Sequence, residues 1–146
     1  MFMQKTLELT LAILGTKTTC SGIAIIRDGK MLIGLRNYTA DKWKEISLWT
    51  VPGGQCDDGE TIEQTLRRET VEETGIKQLK IIDFVDKIPG AKPGDDFYLF
   101  IGSTAEEPRL MEPEKFSEWK WCDLNDIPKN FINPAALSLI NEYFKI

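Results

Sequence analysis

The chain has 146 residues, of which 42% are hydrophobic and 28% charged, and its formal net charge is −5. This length supports one sizeable core and is short for two ordinary domains, so we expect a single domain over residues 1–146. An acidic chain without a basic cluster is a poor partner for long nucleic acid. The absence of histidine excludes Ser-His-Asp, Cys-His and histidine-ligated zinc mechanisms.

The cysteines indicate a reducing compartment. Cys20, Cys56 and Cys122 form no Cys-x-x-Cys motif, and their odd number argues against a closed disulfide framework. We therefore expect free thiols in a cytoplasmic protein, with no membrane partner.

The first apolar segment runs from Leu7 to Leu14. It is only about eight residues long and has no convincing small-residue cleavage site, so we do not interpret it as a signal peptide. Its alternating apolar residues predict a strand over Leu7 to Ile13. If this strand is an exposed sheet edge, a second subunit should cover it, and the protein should form a homodimer.

Two further apolar runs flank the dipeptide Asp28-Gly29, which predicts a β-hairpin. The runs extend from Thr18 to Ile26 and from Lys30 to Arg36. Arg36 then stands at a strand end beside a loop, where it is either an ordinary solvated charge or a phosphate ligand. Three loop residues are candidates to cover a nucleoside, although the tryptophan can equally pack over the core: Tyr38, Trp43 and Lys44.

A sharp turn leads into the most informative stretch of the chain. Leu48 to Val51 predicts a short strand, and Pro52-Gly53-Gly54 turns the chain. Paired glycines let backbone N–H groups approach an anion closely. We then predict one helix from about Thr61 to Thr74, ended by Gly75.

This helix carries an acidic cluster at Glu69, Glu72 and Glu73. Ile62 and Leu66 define its inward direction, and Glu69 and Glu73 fall close to that direction on the following turns. Neighbouring carboxylates of this kind repel one another. A solvated acidic face is the alternative interpretation, but it fits poorly because such a face should lie opposite the apolar residues. A hard divalent cation such as Mg²⁺ would remove the repulsion, which makes this a candidate site for metal-assisted phosphate chemistry.

The second half of the chain predicts three strands and a helix. The strands are Leu79 to Val85, Phe97 to Gly102 and about Ser117 to Cys122, with a polar loop over 87–96. Trp119 and Trp121 on the third of these strands favour core packing. Asn133 caps the last helix, which has Pro134 at its first position. This order predicts an α/β fold with a mixed sheet covered on both faces.

The stretch from Gly54 to Ile76 resembles the Nudix hydrolase signature, Gly-x5-Glu-x7-Arg-Glu-U-x-Glu-Glu-x-Gly-U, in which U is bulky and apolar. Thr70, at the first U position, is the departure. Eight residues match: Gly54, Glu60, Arg68, Glu69, Glu72, Glu73, Gly75 and Ile76. The resemblance implies an α/β/α sandwich with a mixed β-sheet. It also implies a reaction that splits a nucleoside diphosphate linked to another moiety.

The resemblance implies site residues as well. Glu69, Glu72 and Glu73, with Gly54 beside them, would bind Mg²⁺ or Mn²⁺, and Arg68 would hold a neighbouring carboxylate in place. Glu60, at the helix start, is favoured there by the helix dipole as a structural acid. Arg36 would meet substrate phosphate, which the backbone N–H groups of Gly53 and Gly54 can also approach closely.

A glutamate ahead of the third late strand joins the metal site or acts as base in similar enzymes. Glu112 is our match, with Glu114 as the alternative and Asp95 and Asp96 as weaker candidates. A solvated loop acid is the competing interpretation of Glu112. Asn133 matches a base-reading asparagine, although we favour its helix-capping role.

We therefore expect a Mg²⁺-dependent Nudix hydrolase that converts a nucleoside triphosphate into monophosphate and pyrophosphate. Glu112, Glu72 or Glu73 would accept the proton of the attacking water. The nearest alternative is an ADP-ribose or nucleotide-sugar pyrophosphatase. An alternative of another class is a catalytically silent Nudix domain that binds a nucleotide as a regulator, and the intact acidic cluster argues against it.

Overall fold

The computed structural model describes residues 2–37 and 47–146, with side chains from residue 5 onward. Tyr38, Trp43 and Lys44, our candidates for a nucleoside cover, lie outside the described residues. Within those ranges the helices are α1 Phe2–Leu11, α2 Ile62–Thr74 and α3 Pro134–Phe144, with a 3-10 turn at Leu124–Asp126. The strands are β1 Thr19–Arg27, β2 Lys30–Arg36, β3 Leu48–Thr50, β4 Gly53–Gln55, β5 Lys80–Pro89, β6 Asp96–Ser103 and β7 Phe116–Asp123.

The strands form a mixed sheet in the order β3-β2-β1-β6-β5. β4 also pairs with β1, and β7 also pairs with β2. β1 and β6 run parallel, whereas the other pairs are antiparallel. Gly22 of β1 therefore lies between Gly53 of β4 and Leu99 of β6.

Alternating residues of the central strands pack on two separate cores. Ile23 and Ile25 of β1 join a core with side chains of α1 and α2, whereas Ala24 joins a core with α3. On β6, Phe100 belongs to the first core and Leu99 to the second. Helices thus cover both faces of the sheet, and the expected α/β/α arrangement is confirmed.

The predicted strand over Leu7 to Ile13 is wrong, because this segment belongs largely to helix α1. Leu7, Thr10 and Leu11 are buried at helical spacing, whereas Leu9 is 64% exposed. Leu7 and Leu11 are four residues apart, so a run of alternating leucines also places one pair on a single helix face. The edge strand on which we based a homodimer is therefore absent, and that prediction loses its basis.

The predicted hairpin is confirmed, and the geometry of its turn explains why the sequence has Asp28-Gly29 there. Asp28 and Gly29 both have positive φ values, 51° and 74°, as a two-residue type I′ turn requires.

β5 extends to Pro89 and pairs with β6 across two irregularities, so the predicted loop over 87–96 is shorter than expected. No helix among the described residues is long and apolar enough to cross a membrane.

Candidate active site

Helix α2 is fixed at both ends by local hydrogen bonds. The Thr61 side chain accepts from the Gln64 N–H, and the Gln64 side chain accepts from the Thr61 N–H, which completes a capping box. At the other end, Gly75 adopts the left-handed conformation and its N–H donates to the Val71 carbonyl. Ile62 and Leu66 are fully buried between these ends. Together these features fix the direction in which the acidic residues point.

Glu73 is a buried carboxylate, with only 6% of the residue exposed. Its Oε1 accepts the Gly53 N–H at 3.0 Å. Burial raises its pKa well above the usual range, and the charges of Glu69 and Glu112 raise it further against the opposing effects of Gly53 and Arg36. Burial also raises the pKa of Glu69, which Arg68 partly offsets. The expected inward direction of both residues is confirmed.

Arg68 holds the acids on the outer side of this cluster. Its guanidinium donates to Glu69 at 2.8 Å and to Glu72 at 3.2 Å. It also donates twice to Glu60, at 2.7 and 2.9 Å, and this pairing is the main reason that the pKa of Glu60 falls to about 2. Glu60 also accepts the Asp57 N–H and the Thr65 hydroxyl, as expected of a structural acid.

The two glycines before α2 allow the backbone to approach the acids. A Cβ on Gly54 would lie 2.5 Å from the Glu69 carboxyl carbon, and one on Gly53 would lie 2.1 Å from the Ser21 carbonyl oxygen. The backbone therefore excludes a side chain at position 53, and a side chain at position 54 would displace the Glu69 carboxylate. Thr70, the departure from the signature, is fully buried, and its hydroxyl has no hydrogen-bond partner among the described residues.

A cavity of about 350 Å³ opens beside these acids. Among the expected site residues, six line it: Arg36, Gly53, Gly54, Glu69, Glu73 and Asn133. Glu72 is about half exposed and is linked to the cluster through Arg68. Other residues that line it lay outside our expected catalytic, substrate and metal set, among them Cys20, Lys92, Phe97 and Lys115, and Asp95 was only a weaker candidate for the metal site or base. Their shared location depends on how distant strands pair, and no local sequence pattern reports that pairing.

Glu112, on the loop before β7, acts electrostatically on the acidic cluster. Its charge raises the pKa of both Glu69 and Glu73, and its own side chain is 21% exposed. Lys115 of the same loop lies 3.5 Å from its carboxylate. Glu114 is exposed, and Asp96 is exposed and faces Lys87.

Asn133 caps α3, as expected. Its Oδ1 accepts the N–H groups of Ala135 and Ala136, and its Nδ2 donates to the Pro89 carbonyl at 3.1 Å. Both ends of the amide are therefore engaged within the protein.

The donor chemistry of the acidic cluster fits a hard divalent cation, because all three side chains offer carboxylate oxygens. Two of them have pKa values raised mainly by burial, and a bound cation would favour their charged forms. Among the described residues no group of three acids is arranged to hold a metal. Instead, Glu69 and Glu72 bond to Arg68, and Glu73 bonds to Gly53.

Comparison with known proteins places this site in context. A family model described as the NUDIX domain matches residues 17–143. An RNA pyrophosphohydrolase from Bartonella bacilliformis is 28% identical, with coverage of 86% of this chain and 91% of the relative. The NAD-capped RNA hydrolase NudC from Actinobacillus succinogenes is 34% identical over 85% of this chain and 48% of its own. The crystal structure of a MutT NUDIX hydrolase from Burkholderia pseudomallei is similar, with a TM-score of 0.64, 26% identity and coverage of 85% and 95%.

Proposed function

The chain belongs to the Nudix family of hydrolases, and we propose that it converts a nucleoside triphosphate into a nucleoside monophosphate and pyrophosphate. One observation carries the proposal. Glu73 is buried against the Gly53 N–H, next to Glu69, in the wall of a cavity that Arg36 also lines. This arrangement combines hard oxygen ligands with a guanidinium, which is the chemistry that a polyphosphate chain requires.

We propose Mg²⁺ as the cofactor, with Mn²⁺ as the alternative. Glu69, Glu72 and Glu73 would hold it, and the absence of a side chain on Gly54 lets the Glu69 carboxylate lie against the backbone there. When bound, the ion would neutralise charge on the leaving pyrophosphate and lower the pKa of a coordinated water.

Residues of the chain would orient the phosphates, position the carboxylates and accept the proton of the attacking water. Arg36 would orient the phosphates, and Arg68 would keep the outer carboxylates in position. Water oxygen attacks phosphorus, the bridging P–O bond breaks, and pyrophosphate leaves with the electron pair. Glu112 is our preferred acceptor for the water proton, because it comes from a separate loop beside the cluster, and Glu72 or Glu73 is next.

We expect no covalent enzyme intermediate. Cys20 is the cysteine that lines the cavity, and burial together with Asp95 raises the pKa of its thiol to about 12. A thiol with that pKa stays protonated near neutral pH, whereas the thiolate is the nucleophilic form. Direct attack by water is therefore the simpler chemistry.

The triphosphate at the 5′ end of RNA is a second candidate substrate. The relatives named RNA pyrophosphohydrolase favour it, because the Bartonella bacilliformis protein matches over 91% of its own length. The net charge of −5 and the sequence-based expectation of no long nucleic acid favour a free nucleotide. We also propose a cytoplasmic location, which the three free thiols support.

Hydrolysis in ¹⁸O-labelled water with Mg²⁺ tests this proposal. Free triphosphates, an oligonucleotide with a 5′-triphosphate and ADP-ribose would be compared. We expect one label in the monophosphate or the pyrophosphate and no orthophosphate as first product. Release of orthophosphate with a nucleoside diphosphate, or a trapped phosphoryl-enzyme, would overturn the mechanism. Turnover of ADP-ribose with no triphosphate turned over would overturn the substrate assignment.

A further inference from the structure

The part of the cavity away from the acidic cluster is built mainly by the loop between β5 and β6 and by the start of α3. Lys92 and Asp95 of this loop line it, and Cys20 of β1 lies beside them. We propose that Asp95, with Lys92, reads the nucleobase and that the preferred substrate is a guanine nucleotide. This inference rests on the proposed function, since it assigns the base of the same nucleotide.

The loop holds the Asp95 carboxylate in a defined place. The Gly90 N–H donates to the Asp95 carbonyl at 2.7 Å, and the Asp95 N–H donates to the Lys92 carbonyl at 3.2 Å. A Cβ on Gly90 would lie 2.7 Å from the Asp95 Cβ, so the two loop ends pack closely. The Cys20 thiol donates to Asp95 Oδ2 at 3.7 Å. Within the described residues Oδ1 accepts no hydrogen bond, which leaves it available to a ligand.

Asn133, another polar side chain in this part of the cavity, is already engaged. Asn133 uses its Oδ1 for two N–H groups of α3 and its Nδ2 for the Pro89 carbonyl. Asn133 therefore has only its second amide N–H left to offer a base. Asp95 instead offers an acceptor oxygen, Oδ1, that no described residue uses. Nearby apolar side chains supply contact surface for an aromatic ring: Phe97, Ile132 and Ala136.

The pairing of a carboxylate with an ammonium group discriminates among the bases. A carboxylate only accepts hydrogen bonds, and an ammonium only donates them. Guanine presents two adjacent donors, N1–H and the 2-amino group, beside the O6 acceptor. Asp95 can accept from both donors while Lys92 donates to O6. Adenine and cytosine would turn an unprotonated ring nitrogen toward the carboxylate, and uracil offers a single N–H between two carbonyls. Charge-assisted bonds of this kind are the strong ones.

Steady-state kinetics with GTP, ITP and ATP in Mg²⁺ test the inference. Inosine lacks only the 2-amino group, so ITP isolates one of the two donors. We expect kcat/KM for GTP to exceed that for ATP by about 100-fold, and that for ITP to be about 10-fold lower than for GTP. Asp95→Asn should reduce kcat/KM for GTP by about 10- to 100-fold, mainly through KM, because one acceptor becomes a donor.

Asp96→Asn is the matched control, since Asp96 is the next residue, is exposed and faces Lys87. It should leave the base preference unchanged. A wild-type protein that hydrolyses triphosphates without preferring GTP, or an Asp95→Asn variant equal to Asp96→Asn, would overturn the inference.

Calorimetry of GMP and AMP binding to the metal-free protein separates this inference from the proposed function. We expect tighter binding of GMP than of AMP, with the difference lost in Asp95→Asn. That result would support base recognition even if no triphosphate were hydrolysed. Equal binding of the two monophosphates to the wild-type protein would count against it.

Discussion

The buried Glu73 is the residue at which charge and structure can be separated most cleanly. Glu73→Gln keeps an oxygen that can accept the Gly53 N–H but removes a negative charge from the cluster. We expect turnover with Mg²⁺ to fall by about 100-fold or more, which corresponds to at least about 2.7 kcal/mol of barrier. Because charged Glu73 is disfavoured by burial and by Glu69, the melting temperature in EDTA should stay the same or rise.

Glu63→Gln is a matched control on the same helix. Glu63 is 44% exposed and pairs with Arg67, away from the cavity. It should change neither turnover nor the melting temperature appreciably, since surface pairs contribute little. Near-normal turnover in Glu73→Gln would show that the acidic cluster is not the reaction site.

Among the elements, α1 offers a direct test of helix against strand. A strand would place Leu7, Leu9 and Leu11 on one face, whereas the helix buries Leu7 and Leu11 and leaves Leu9 64% exposed. Leu7→Ala and Leu11→Ala should each lower the free energy of unfolding by about 2–4 kcal/mol. Leu9→Ala should change it by less than about 0.5 kcal/mol. Urea denaturation of the three variants measures this, and an equal loss in all three would favour the strand.

The same contrast shows which elements a sequence can predict. α2 was predicted at both ends because its signals are local, a cap at Thr61 and a left-handed Gly75. The hairpin turn at Asp28-Gly29 is local in the same way. α1 was missed because three alternating leucines fit either period, and the choice depends on packing against α2 and β5. Tertiary contacts override a short periodic pattern.

At the scale of the whole molecule, the parallel pairing of β1 with β6 creates the outer part of the cavity. It sets Cys20 opposite Phe97 and Thr19 opposite Asp96, so that the loop before β6 lies beside β1. These residues are far apart in the chain, and neither strand carries a local signal for its parallel partner. The acidic cluster could be predicted because one helix carries it. Asp95 was only a weaker candidate for the metal site or base, and its place beside Lys92 in the outer part of the cavity emerged only once the sheet was known.

The stability of the whole protein should depend on pH in an unusual way, because the chain has no histidine. Burial raises the pKa values of all three cysteines, so perturbed carboxylates dominate titration between about pH 5 and 8. Glu69 and Glu73 have raised pKa values in the folded state, so folded protein binds protons more tightly than unfolded protein. The free energy of unfolding without metal should therefore rise as pH falls toward about 4.3, the ordinary glutamate value.

Below that pH, Glu60 reverses the trend. Its folded-state pKa of about 2 lies below the unfolded value. Ionised Glu60 therefore adds to the free energy of unfolding above about pH 4.3, and this stabilisation is lost as pH falls through 2. Metal-free protein should thus be most stable at mildly acidic pH. Mg²⁺ requires ionised ligands and should move the maximum toward neutral pH. Urea denaturation in EDTA from pH 3.5 to 8 tests this. In Glu73→Gln the free energy of unfolding should rise less as the pH falls. A free energy of unfolding that falls steadily from pH 7 to pH 5 in EDTA would contradict the assigned burial of these acids.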